Sequence, residues 1–195
     1  MTAPGSDRAA AMIQRIERTA LRNGVDRDGV VLLRDTLRTV LELRRSFLDE
    51  DHVDFLHPAR TALILMDDVG VTDAATLIAA VLAETRDPAL APPSELLRSA
   101  GAETVAILDA VPGYQVEDER LAEALIVAPD SARFVALAER LDHARHLHLR
   151  ERPEWTAYHR TTCRTYAPVA ERTEPRIGRR FAWWCRTFER RFLHP

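Results

Sequence analysis

At 195 residues, 46% of them apolar and 29% charged, the chain is long enough to bury a core without disulfide or metal staples. A net charge of −3 gives no bulk attraction to nucleic acid or to an anionic membrane, and no apolar run is long enough to span a bilayer. The N-terminus MTAPGSDRAA lacks the apolar core of a signal peptide, and two cysteines without metal-type spacing lead us to expect a reduced, cytoplasmic setting.

Residues 1–9 are small and polar and read as a disordered tail. Met12, Ile13, Ile16 and Ala20 then recur at helical spacing, and Asn23-Gly24 stops that short helix. We take residues 1–27 as a tail plus an extra helix, and 28–195 as the main helical domain. A longer helix runs from about Asp28 to Phe47, with Val31, Leu32, Leu37, Val40, Leu41 and Leu43 as its apolar positions. An acidic loop, Asp49-Glu50-Asp51, follows it.

The central stretch is HPARTALILMDDVGVTDAATLIAAVLAETRDP, from His57 to Pro88. It reads as two apolar helices joined by a turn at Gly70, with Thr72-Asp73 supplying a helix-start signal. The second, from about Ala74 to Arg86, is apolar nearly all round, as a helix walled in by others must be. Asp67-Asp68 reads as a solvated helix end. Beyond a loop over 88–93 come a short helix at Ser94–Leu97, another from Glu103 to Val111, a break at Pro112-Gly113 and helical pieces over Leu121–Val127 and Ser131–Leu147. Pro153 to Ala170 and Glu174 to Phe192 read as two amphipathic helices. Trp155, Tyr158, Tyr166, Phe181, Trp184 and Phe188 are their packing residues. The fold class is therefore all-α.

The order of these features resembles the HD-type hydrolase domain of the RelA/SpoT alarmone enzymes and the small single-domain alarmone hydrolases. In that family a His-Pro pair opens one helix, and a glycine turn follows. Ala-Ala-Leu-Leu-His-Asp and then Glu-Asp come next. Here the frame is His57-Pro58 and Ala79-Ala80-Val81-Leu82, followed by Ala83-Glu84 in place of His-Asp and Asp87-Pro88 in place of Glu-Asp. SARFVALAERLDHARHL is similar to the family's Lys-Leu-Ala-Asp-Arg-Leu-His-Asn helix. Glu139 stands at the aspartate ligand and His143 at the asparagine. TYAPVAER resembles a further family segment, so the likeness spans residues 28–192 and implies an HD-type helical bundle.

The resemblance implies a metal set of His57, Ala83, Glu84 and Glu139. Ala83 offers no ligand atom, the two glutamates are each one methylene longer than aspartate, and Pro88 leaves Asp87 alone at the acidic pair. We therefore expect a catalytically impaired module with no resident cofactor that binds a guanine nucleotide or a protein partner. The alternative is an active Mn-dependent guanosine-polyphosphate pyrophosphohydrolase built on His57, Glu84 and Glu139. Glu139, His143 and His146 share one helix face, a geometry able to hold metal. The competing reading is that His143, His146 and His148 form a solvated stripe. In the family an arginine ahead of the His-Pro packs on the guanine base, a part that falls to Arg44 or Arg45 here, with His143 lining the cavity. Neither nucleic acid nor membrane is expected as a partner, and the oligomeric state is left open.

Other chemistry finds no motif: the chain has no Gly-rich phosphate loop, no Cys-x-x-Cys and no nucleophile elbow. Cys163 and Cys185 lack metal-type spacing and are expected to be reduced, with Cys163 packed in its helix. His52, His159 and His194 read as surface residues. The chain has no lysine, and its 27 arginines reflect a composition bias that locates no site.

Overall fold

A computed structural model describes residues 5–86, 94–112 and 118–193. Every regular element among them is helical, as expected. Contacts divide the chain into two compact units, Met1–Asp109 and Ala110–Pro195. No helix among the described residues is long and apolar enough to cross a membrane.

The first unit starts with α1 (Gly5–Asn23), which packs on α2 (Arg27–Arg44) and α3 (His57–Ile64). Ile16 and Ala20 are its fully buried positions. Asp26 caps α2 by accepting the Gly29 N–H at 2.8 Å, which satisfies one of the helix's unpaired first-turn donors. The buried stripe of α2 is Val30, Leu33, Leu37, Val40, Leu41 and, at its last turn, Arg44. Leu37, Val40 and Leu41 are buried as expected, but in the first turns Val30 and Leu33 take the buried positions and Val31 is exposed.

Pro58 sits in the first turn of α3, where its missing N–H costs nothing. A π-helical turn, Leu65–Val69, extends α3 to Gly70. Gly70 takes a left-handed φ of 84°, and its N–H and that of Val71 both reach back to the Leu65 carbonyl. This wider turn corrects the expected solvated end at Asp67-Asp68. Asp67 is exposed and pairs with Arg22 at 3.3 Å, but Asp68 is buried. Asp73 then accepts from Thr76 N at 2.8 Å and Thr76 Oγ1 at 2.6 Å, starting α4 (Ala74–Leu82) where the sequence signalled it. From Thr76 to Leu82 every residue of α4 is buried, so it is the inner helix of this unit. A 3₁₀ turn, Ala83–Arg86, carries Glu84. Helices α5 (Ser94–Ala100) and α6 (Ala102–Ala110) complete the stretch.

The second unit holds α7 (Asp118–Val127), α8 (Asp130–His146), α9 (Arg152–Thr161), α10 (Ala167–Thr173) and α11 (Pro175–Phe188). Two π-helical turns interrupt the expected continuous helices: Thr162–Tyr166 joins α9 to α10, and Glu189–Leu193 follows α11. One core cluster of this unit is Ala144, Leu147, Trp155, Trp184 and Phe188, with Tyr158, Cys163, Cys185 and Phe192 packed on it. Trp155 meets Phe188 edge-on at 5.6 Å, and Trp184 stacks on Phe188 at 4.9 Å. The six aromatic packing residues read from the sequence all lie in buried or half-buried positions.

Candidate functional site

The last turn of α2, the first turn of α3 and the 3₁₀ turn after α4 bring Arg44, His57 and Glu84 together in the first unit. Arg44 is 5% exposed and His57 1%. Arg44 Nη1 donates to Glu84 Oε2, and Nη2 donates to the Asp54 carbonyl at 2.6 Å. His57 Nε2 lies 3.6 Å from Glu84 Oε1 and 3.4 Å from Thr61 Oγ1, while that hydroxyl donates to the His57 carbonyl at 2.9 Å. A buried guanidinium is tolerated because a carboxylate neutralises it and a carbonyl takes a further N–H. Its Nε is also buried and has no hydrogen-bond partner among the described residues.

Beside this group lies a cleft of about 290 Å³, open solvent space included. Val40, Leu43, Phe47, Pro58 and Val81 form its apolar walls; Arg44, Glu84 and Thr85 supply the polar lining. Mostly apolar walls with a few placed polar groups are the usual make-up of a small-molecule site. Thr85 is held in turn by its hydroxyl, which donates to the Leu82 carbonyl.

Of the expected metal ligands of this segment, His57 and Glu84 lie together, with His57 Nε2 3.6 Å from Glu84 Oε1. Ala83 is 1% exposed and contributes a methyl group to the core. Glu84 already has the Arg44 guanidinium as its cation.

Of the remaining expected residues, Arg45 turns away from Arg44's environment: it is half exposed and donates to Glu50 Oε1 at 2.6 Å. Asp87 lies outside the described residues, as do His194 and the loop over 88–93. Glu139 and Asp142, on α8 in the second unit, are each 1% exposed. His143 and His146 on the same helix are half-buried, which corrects the solvated stripe; only His148 is exposed. His146 Nδ1 lies 2.8 Å from the Asp142 carbonyl and 3.7 Å from its carboxylate, so the face that bears them is partly packed.

Two groups escaped the sequence reading. Arg140 is sandwiched by aromatics, its Cζ 3.4 Å from the centroid of Tyr158 and 4.7 Å from that of Tyr166. It also donates to Thr162 Oγ1 and to the Tyr158 carbonyl, each at 2.9 Å, which pins the π-helical turn to α8. Burial pushes the Tyr158 hydroxyl well above the ordinary phenol range, although the nearby Arg140 charge opposes that shift.

The second is at the cysteines. Cys163 and Cys185 form a disulfide with Cα atoms 5.9 Å apart, which corrects the expectation of two reduced thiols. His159 is likewise no surface residue: its ring lies 5.6 Å from Trp184 and 6.0 Å from Phe188, and its Nε2 is 3.3 Å from Cys163 Sγ. The His159–Cys163 spacing of four was legible as one helix face, but the approach of Cys185 was not. Compared with known proteins, the chain matches no protein-family model and no curated protein.

Proposed function

We propose that this chain is a catalytically silent relative of the HD-type alarmone hydrolases that binds the base of a guanine nucleotide in the cleft of its first unit. The observation that carries the reading is the Arg44–Glu84 ion pair at the cleft wall. In this reading the Arg44 guanidinium, and not a metal ion, answers the charge of Glu84, so the chain activates no water. The cleft offers apolar side chains, among them Phe47 and Pro58, for the faces of a purine. Glu84 supplies an acceptor suited to the N1–H and N2–H₂ edge of guanine.

The test is a thermal-shift series with GDP, GTP and ppGpp against ADP and ATP, with and without Mn, plus metal analysis of the purified chain. Guanine nucleotides at 100 times their Kd stabilise the fold by about 2.7 kcal/mol, adenine nucleotides leave it unchanged, and no pyrophosphate is released from ppGpp. Stoichiometric Mn with turnover that His57→Ala abolishes would establish the rewired enzyme instead. No shift with any nucleotide would leave a protein-interaction scaffold.

A further inference from the structure

We propose that the chain carries a second, redox-gated site: when the Cys163–Cys185 disulfide is reduced, His159, Cys163 and Cys185 bind one thiophilic divalent cation of the zinc type. The three side chains come from two neighbouring segments of the second unit. His159 and Cys163 are four residues apart on α9 and the π-helical turn that follows it, and Cys185 faces them from α11. Their ligand atoms all lie within 4.8 Å of one another, and the His159–Cys163 distance is 3.3 Å. A tetrahedral zinc ion with bonds of about 2.3 Å to sulfur and 2.0–2.1 Å to nitrogen needs ligand-to-ligand edges of roughly 3.5–3.8 Å. Small side-chain rotations over a 5.9 Å Cα separation supply those edges once the covalent bond is gone.

Charge and access agree with this assignment. Two thiolates and a neutral imidazole cancel the charge of a divalent ion, so a site packed against the Trp155–Trp184–Phe188 cluster carries no net charge to desolvate. All three residues are half-buried, open enough for a reductant and an ion to reach them and for a water to take the fourth position. Trp184 and Phe188 flank the imidazole and fix its plane. His159 Nε2 now lies 2.9 Å from the Cys185 carbonyl, and metal binding exchanges that contact for the ion. A π-helical turn at a ligand-bearing residue is also where such turns concentrate.

The chemistry balances as a two-electron exchange. A thiol reductant is oxidised to its own disulfide, Cys163 and Cys185 become thiols, and the cation then displaces their two protons. In the oxidised chain both sulfurs are consumed, so the site is closed.

Cobalt(II) titration of the full chain tests this, with and without prior reduction by a phosphine that is then removed. The chain has two cysteines, so any thiolate-to-cobalt charge-transfer absorption reports this pair. The reduced protein is expected to bind one equivalent with that band and to release cobalt to zinc, and the oxidised protein to show no band. His159→Gln weakens cobalt binding by about tenfold or more, the cost that even a ligand's supporting partner carries. Cys163→Ser abolishes the two-thiolate spectrum. Circular dichroism accompanies each titration, and the wild-type comparison decides the matter even if a cysteine variant fails to fold. Absence of the band in the reduced wild type, with or without loss of helicity, overturns the proposal. So does unchanged affinity in a folded His159→Gln chain.

Discussion

Arg44 and Glu84, forty residues apart, form a buried ion pair that closes the last turn of α2 against the turn after α4. Arg44 is 5% exposed at its side chain and Glu84 17%, so each charge depends on the other. Removing one partner strands its counter-charge, at a cost of about 3–5 kcal/mol, whereas replacing both by uncharged residues of similar size is far cheaper. Arg44→Met and Glu84→Gln are each expected to lower the urea midpoint strongly, and the double variant to recover much of the loss. Additive losses in that double-mutant cycle would mean the pair is not coupled.

Arg133 holds the end of α7. Its Nε donates to the Leu125 carbonyl at 2.8 Å and its Nη2 to the carbonyls of Ile126 at 3.0 Å and Ala128 at 2.7 Å. These are last-turn acceptors that the helix itself leaves unpaired. Arg133→Ala is expected to destabilise the fold by about 1–3 kcal/mol, and Arg133→Lys by an intermediate amount because an ammonium lacks the planar fork. Equilibrium denaturation measures both, and equal stability of the lysine variant and the wild type would sink the argument.

Gly178 lets α11 approach α10 closely. A Cβ there would lie 2.7 Å from Glu171 Cα and 3.0 Å from Glu171 N, and backbone cannot rotate aside. Glycine to alanine inside a helix ordinarily stabilises by about 1 kcal/mol. Gly178→Ala is expected to do the reverse, costing about 1–3 kcal/mol through overpacking. A rise in melting temperature would contradict this close approach.

Glu174 caps α11. The Arg176 N–H donates to its carboxylate at 3.0 Å, and with the Arg176 side chain this holds the carboxyl below the ordinary glutamate range. A group depressed in the folded state contributes stability above its unfolded value, about pH 4.5, and loses it as pH falls through the lower folded value. The stability difference between wild type and Glu174→Gln should therefore be full near neutrality and shrink progressively below about pH 4.5. A difference independent of pH would remove the carboxylate from the cap.

Much of the local structure was legible along the chain. The helix starts at Asp26 and Asp73, the stop at Gly24 and the all-apolar α4 follow from caps, glycine and hydrophobic period, which act over four to seven residues. The same local logic failed at Leu65–Val69 and Thr162–Tyr166, where one extra residue per turn re-aims the side chains, and so it missed the burial of Asp68.

Sequence by itself determined that this is an all-helical chain with an apolar inner helix after Asp73. Only tertiary structure decided what its polar residues meet: that Glu84 is answered by Arg44, and that Cys185 meets His159 and Cys163. The reason is range. Caps and periodicity are set by neighbours a few bonds away, whereas a buried charge or a thiol takes its chemistry from whatever the packing brings to it across forty or twenty-two residues.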